Sequence, residues 1–219
     1  MMLRRFEIYS IADRAPRADV DHLVRATRDC ARFIPEVLHC AVGWNRADNP
    51  LHFVWEQAFA SPADYQRYME HPFHANLLDR FLMADSAERV TRNNGIGAGL
   101  LGYACDTAEY YQPRGGARRV VALRLADGVD AAFATIAGQA WRAGAMTLSV
   151  FRENTFGPRW FDGETWVGPA PVYTHVWEQG FASVDAALAD EAPWRAAAAP
   201  LVEDSIEVVY AIEAGYGYA

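Results

Sequence analysis

Tyr65, Tyr68, His71 and His74 gather in the run Asp64-Tyr65-Gln66-Arg67-Tyr68-Met69-Glu70-His71-Pro72-Phe73-His74, the one place in the chain where phenols and imidazoles stand at short spacing. An imidazole can take a proton near neutral pH, and a phenol can donate a hydrogen bond to an oxygen that is gaining charge. Side by side they could remove a proton next to a carbonyl and hold the resulting enolate oxygen, which is acid–base chemistry that needs neither a metal nor a flavin.

Pro72 sets the geometry of this run. A proline disfavours helical torsions at the residue before it and suits the first position of a helix, so one helix should end near Glu70 and a second start at Pro72. His71 then falls near the N-cap and His74 in the first turn, where the positive end of the helix dipole disfavours imidazolium and favours the proton-accepting form.

These residues belong to one half of a duplicated chain. Residues 54–61, Val-Trp-Glu-Gln-Ala-Phe-Ala-Ser, recur at 176–183 as Val-Trp-Glu-Gln-Gly-Phe-Ala-Ser. Arg4-Arg5 answers Arg118-Arg119, Asp85-Ser86 answers Asp204-Ser205, and the Gly102-Tyr103-Ala104 end of the first half is matched with Gly217-Tyr218-Ala219. The second copy carries Glu191-Ala192-Pro193-Trp194-Arg195 at the kink, so the proline persists while both histidines are gone. The fold therefore does not require the imidazoles.

The apolar periodicity of the first half reads as strand 3–11, a helix through Val20, Leu23, Val24, Thr27, Cys30, Ala31 and Ile34, strands 37–44 and 51–60, a helix opened by Ser61-Pro62, and a last strand within 88–103. The second half repeats the order with strand 118–125, helix 129–142, strands 146–152 and 172–181, helix 184–191 and strand 206–212. The order β-α-β-β-α-β is ferredoxin-like. The expected class is α+β: two tandem ferredoxin-like units, 1–104 and 118–219, joined by a linker at 105–117. Each should stack its uncovered sheet face on the other. Residues 153–173, with Phe156, Trp160, Phe161, Trp166 and Tyr173, expand the second hairpin into a loop that could act as a lid.

Composition limits the rest. Hydrophobic residues at 52% and charged residues at 22% are those of a folded globular chain. The net charge of −8, with no segregated basic face, speaks against nucleic acid, and no run is long enough for a membrane span or a secretory leader. Cys30, Cys40 and Cys105 are odd in number and lack metal-type spacing, which reads as free thiols in a reducing, cytoplasmic compartment. His52, His71 and His74 have no acidic or cysteine ligand at a diagnostic spacing, so no metal is expected. Gly95-Ile96-Gly97-Ala98-Gly99 does not join a strand to a helix and reads as strand-end structure. The repeated Trp55-Glu56 and Trp177-Glu178 read as structural residues of the sheet or of the interface between halves.

Phe59-Ala60-Ser61, Tyr68 and His71-Pro72-Phe73-His74, together with the strand order, resemble the stress-responsive dimeric α/β-barrel (Dabb) family. The resemblance covers the first half, and reaches the second through the repeat. It implies a barrel made here by two halves of one chain. It also implies the chemistry of the olivetolic acid cyclase-type members, cofactor-free enzymes in which a Tyr and the second His of the run carry an aldol condensation. Those catalytic roles fall on Tyr68 and His74, with His71, Phe53, Trp55, Tyr65, Phe73 and Leu78 expected to line the substrate pocket. The family's pocket histidine on the third strand is replaced by Phe53, while His175 takes that position in the second half.

The leading expectation is a cofactor-independent cyclase or lyase acting on a small hydrophobic aromatic or polyketide-like carbonyl compound. The alternatives are a cofactor-free monooxygenase of quinols or polyphenols, a non-catalytic carrier of a hydrophobic ligand, and a haem-binding barrel. A homodimer of the pseudo-dimeric chain is a further expectation.

Overall fold

In the computed structural model the described residues are 2–82, 88–91, 99–105, 116–143, 149–154, 160–161, 166–167, 172–191 and 194–215. The first half runs β1 (Met2–Tyr9), α1 (Arg17–Arg28), β2 (Val37–Trp44), β3 (Phe53–Phe59), α2 (Pro62–Glu70), a π-type segment (Phe73–Leu78), α3 (Asp79–Leu82) and β4 (Gly99–Cys105). The second runs β5 (Ala117–Leu125), α4 (Asp130–Ala143), β6 (Ser149–Glu153), β7 (Trp160–Phe161), β8 (Trp166–Val167), β9 (His175–Phe181), α5 (Val184–Ala189), α6 (Trp194–Ala198), β10 (Val202–Ala211) and β11 (Glu213–Ala214). The protein is an α+β fold built around two large antiparallel sheets, ordered β11-β2-β3-β1-β4 and β10-β5-β9-β6, with β7 and β8 paired as a separate ribbon.

Matching registers make the duplication visible. Arg5 lies opposite Gln57, Glu7 opposite Trp55 and Tyr9 opposite Phe53; in the second sheet Arg119 lies opposite Gln179, Val121 opposite Trp177 and Leu123 opposite His175. Helix α2 is capped by Ser61 Oγ, which accepts from the Asp64 amide at 3.2 Å with Pro62 in the first turn; α5 is capped in the same way by Ser183 and the Ala186 amide at 3.1 Å.

Every residue of β1 is buried, because both faces of its sheet are covered. Leu3 and Tyr9 pack under the helices with Val20, Leu23, Ile34, Trp55, Phe59, Tyr65 and Tyr68. Phe6 and Ile8 face the other sheet, meeting Val120, Ala122, Val176, Val208 and Tyr210. Such large apolar side chains stabilise the sheet stack by about 1.5–3 kcal/mol each relative to exposure.

The sheets are also joined at their margins. Asn45 bridges to Tyr210, its Oδ1 accepts from the Val209 amide at 3.0 Å, and β11 adds itself to β2 of the first sheet. Elsewhere Asn154, after β6, accepts from the Gly102 amide of β4 at 2.9 Å and donates to the Tyr173 carbonyl at 2.7 Å.

The sheet interface is not wholly apolar. At its centre Arg4 and Arg118, equivalent strand positions, are shared between Glu56 and Glu178, all buried. Tyr210 Oη donates to Glu56 at 2.8 Å and Tyr103 Oη donates to Glu178 at 2.8 Å. Tyr103 pairs with Arg4 and Tyr210 with Arg118, so the residue equivalent to Tyr103 is Tyr210 and the match to Tyr218 made on the sequence is corrected. β11 follows β10 at the end of the second half. Residues 216–219 lie outside the described residues, as do 92–98 of the glycine-rich stretch, 106–115 of the linker and most of the 153–173 loop. Ala117 of the expected linker already belongs to β5.

No described helix is long and apolar enough to cross a membrane. Cys30, Cys40 and Cys105 are buried and form no disulfide.

Candidate active site

The kink at Pro72 forms as the local chemistry demands. His71 is extended (φ −66°, ψ 133°) and closes α2, whereas Pro72 is helical (φ −56°, ψ −32°) and opens the π-type segment that carries His74. Such i→i+5 turns are rare and recur at functional sites. The His74 amide bonds back to the His71 carbonyl at 2.9 Å, which fixes the imidazole at the start of the turn.

His74 is 5% exposed, and its ring centroid lies 4.4 Å from that of Tyr68. Nδ1 lies 3.2 Å from the Met69 carbonyl, an acceptor only, so Nδ1 carries the hydrogen and Nε2 presents a lone pair. Burial pushes the imidazole pKa down to about 3 with further lowering from the Arg5 charge, against a smaller opposing effect of the Met69 bond. The neutral form expected at the helix start is therefore held mainly by desolvation and a neighbouring cation. Asp79 Oδ1 stands 3.9 Å from Nε2, beyond hydrogen-bond reach.

Tyr68 is fully buried on α2. Its hydroxyl oxygen accepts from Arg5 Nη1 at 3.2 Å and from Gln57 Nε2 at 3.0 Å. The Gln57 amide is oriented by its other end, since Gln57 Oε1 accepts from Arg5 Nη1 at 2.8 Å. Two donors occupy the oxygen's lone pairs, so the hydroxyl hydrogen points elsewhere. Burial pushes the phenol pKa well up, more than the opposing Arg5 charge lowers it, and keeps that hydrogen in place.

Arg5 was not anticipated as a site residue, and it organises the cluster. It is paired with Glu7 at 2.6 Å, and its guanidinium stands 5.3 Å from the centroid of Tyr65 and 5.5 Å from that of Tyr68. Glu7 in turn accepts from Tyr9. Their signal was present in the repeat: Arg5 recurs as Arg119 and Gln57 as Gln179. In the second half Asp190, seven residues after the N-cap as Tyr68 is, takes the bond from Arg119 at 2.5 Å.

The other expected lining residues divide. Trp55, Phe53, Tyr65 and Leu78 are fully buried in the same apolar cluster; Trp55 meets Tyr68 edge-on at 6.4 Å and Phe53 packs on Tyr9 and Trp44. Phe73 is half-buried at the margin, stacked on the exposed Phe33 at 4.7 Å. His71 spends Nδ1 accepting the Phe73 amide at 3.2 Å, a capping bond. His52 likewise serves the backbone, accepting from the Ile11 amide at 2.9 Å. Hairpin strand β7 of the second-half loop comes within 8 Å of α2, Cα to Cα, so part of that loop lies against the helix that carries Tyr68. Among the described residues no three His, Cys, Asp or Glu side chains are grouped to hold a metal ion.

Residues 3–88, which hold this whole cluster, match the stress responsive A/B barrel domain. The match falls on the stretch that carries Tyr68 and His71-Pro72-Phe73-His74, on which the resemblance rested. No curated protein matches the chain. Among solved structures it is similar to an anthrone oxidase-like protein, at 11% identity over 96% of this chain and 91% of that one with a TM-score of 0.58. It is also similar to a candidate monooxygenase from Fusobacterium nucleatum subsp. nucleatum (9% identity, 100% and 95% covered, TM-score 0.57). A third likeness is to a single-site variant of chlorite dismutase from Candidatus Nitrospira defluvii (10% identity, 97% and 91% covered, TM-score 0.58). At these identities the likeness is one of fold, and it spans both halves.

Proposed function

We propose that the protein is a cofactor-independent acid–base enzyme of the cyclase or lyase type, acting on a small hydrophobic aromatic or polyketide-like carbonyl compound. One observation carries the reading: an uncommitted donor, the Tyr68 hydroxyl, and an uncommitted acceptor, His74 Nε2, stand together in a buried apolar setting. His74 takes the proton from the carbon next to the carbonyl. Tyr68, its oxygen held by Arg5 and Gln57, donates to the enolate oxygen as charge grows there. The nearby guanidinium favours that developing anion, and exclusion of water strengthens both interactions. Trp55, Tyr65, Phe53 and Leu78 form the apolar surround, and Phe73 and His71 sit at its rim.

In this reading residues 1–104 carry the chemistry and 118–219 complete the barrel, with β7 beside α2. His74→Ala and Tyr68→Phe each remove one half of the pair. Loss of turnover by roughly 10²–10⁴-fold in either, in protein that still gives a native circular-dichroism spectrum, is the expected result. Oxygen uptake coupled to product formation would instead favour the monooxygenase reading, and ligand binding without any product would favour the carrier.

A further inference from the structure

We propose, resting on the pairing of Tyr68 with His74 as donor and base, that Glu7 is a positioning residue of that site. From β1 it supplies the counter-charge that buried Arg5 requires, and it thereby leaves the facing position of α2 to a neutral hydroxyl, that of Tyr68.

The duplication shows what the arginine needs. An uncompensated charge in a protein interior is costly, so a buried guanidinium is met by a carboxylate. In the second half Arg119 is met by two, Asp190 at 2.5 Å and Glu207 of β10 at 2.7 Å, while the residue two places along β5 is the apolar Val121. In the first half neither equivalent is an acid. Tyr68 stands at the place of Asp190, seven residues after the N-cap, and Leu100 pairs with Glu7 as Glu207 pairs with Val121. The carboxylate appears instead at Glu7, in the place of Val121. Two acids are thus replaced by one, on the strand that carries the arginine itself.

Glu7 is held for this task. Strand alternation puts residues 5 and 7 on one face, and both are buried. Oε1 lies 2.6 Å from Arg5 Nη1, a contact of charge rather than an aligned hydrogen bond. Oε2 accepts from the hydroxyl of Tyr9, whose ring stacks on Phe53 at 6.3 Å. The same Nη1 donates to Gln57 Oε1 at 2.8 Å and to the Tyr68 oxygen at 3.2 Å. Anchoring the guanidinium at Glu7 therefore fixes the Arg5 bond to Tyr68 and, through Gln57, the second one. The titratable groups around the Tyr68 hydroxyl are Arg5, Glu7 and Tyr9 of β1, Tyr65 of α2, His74 of the π-type segment and Cys30 beyond α1. Burial holds the phenol protonated, the Arg5 charge pulls towards phenolate, and the Glu7 charge opposes that pull.

The test is alkaline titration of the full chain labelled with ¹³Cζ-tyrosine, the Tyr68 signal being assigned by its absence in Tyr68→Phe. Glu7→Gln keeps the shape and an acceptor for Tyr9 but removes the charge. In it the Tyr68 midpoint should fall by about one pH unit or more relative to wild type, and Glu7→Asp should recover most of that fall. A role in packing alone predicts that Glu7→Gln and wild type titrate alike up to alkaline unfolding. That result would overturn the proposal, as would Glu7→Asp titrating like Glu7→Gln. Should Glu7→Gln fail to fold, the exchange of Glu7→Val with Tyr68→Asp decides, because it returns the carboxylate to its second-half place. Cooperative urea unfolding of the exchanged chain then supports the proposal, and its failure to fold refutes it. The titration needs no substrate and holds whether or not a product is found. Where turnover is found, the alkaline limb of kcat should move down with the Tyr68 midpoint. A limb that stays while the midpoint moves would overturn the role of Tyr68 as donor.

Discussion

Glu56→Gln removes one of two carboxylates shared by two arginines at the centre of the sheet stack. In the native protein Glu56 lies 2.9 Å from Arg4 and 2.9 Å from Arg118 and accepts from Tyr210 at 2.8 Å, all without solvent contact. The glutamine keeps the shape and leaves two buried cations facing Glu178 alone. Breaking a buried ion pair from one side typically costs about 3–5 kcal/mol. Titration supplies a second route to the magnitude. Burial alone would raise the Glu56 pKa, but Arg118 and Arg4, aided by His39 and the Tyr210 bond, outweigh it and hold the carboxyl at about 2. Against an ordinary value near 4.5 this depression is worth about 3 kcal/mol, at about 1.4 kcal/mol per pH unit. The two routes agree, and for a chain of this size they correspond to a fall in melting temperature of roughly 6–20 °C. Because the folded pKa is the lower one, the stabilisation is complete above pH 4.5 and fades as pH falls from 4.5 towards 2. Urea unfolding of wild type and Glu56→Gln at pH 7 and at pH 3 is the assay: the stability gap between the two should narrow at pH 3. A loss below about 1 kcal/mol at pH 7, or a gap that is the same at both pH values, would refute the view that this cluster holds the halves together.

Three further outcomes follow from the geometry. His74 is held neutral with a pKa of about 3, so the acid limb of the kcat/KM profile should fall below pH 5 and not near 6.5; its depressed value also makes it a group whose stabilisation is lost as pH drops below 6.5. Ser61→Ala removes the α2 cap and should cost about 1 kcal/mol in chemical denaturation, with Ser183→Ala giving a comparable loss at α5. Gly43→Ala would place a methyl 2.3 Å from Tyr210 Cδ2 and 2.6 Å from the Ala211 carbonyl, where β2 and β10 meet; the clash should lower stability by about 1–3 kcal/mol, read by calorimetry.

The strand order, the α2 cap and the break at Pro72 were legible because each is written in local chemistry: aromatic and branched residues in Phe53–Phe59, Ser61-Pro62 as cap and first turn, and a proline that forces His71 out of the helix. The shared Trp-Glu motif was legible as structural, and Glu56 and Glu178 do sit where the halves meet. What could not be read was which charged residues lie inside. Arg4 and Arg5 look like a basic surface pair, yet strand alternation sends one to the sheet interface and the other under Tyr68, so each is understood only once its partners across the strands are known. The role of His71 as a capping residue depends in the same way on what packs opposite.

The central claim is that Tyr68 and His74 act together as donor and base. Its most direct test is product formation by wild type, His74→Ala, Tyr68→Phe and the double variant on a panel of aromatic polyketones with no added cofactor. The account predicts turnover by wild type alone, with the double variant no worse than either single one, because the two groups serve one step. Retention of most activity in His74→Ala, with the fold intact, would contradict it.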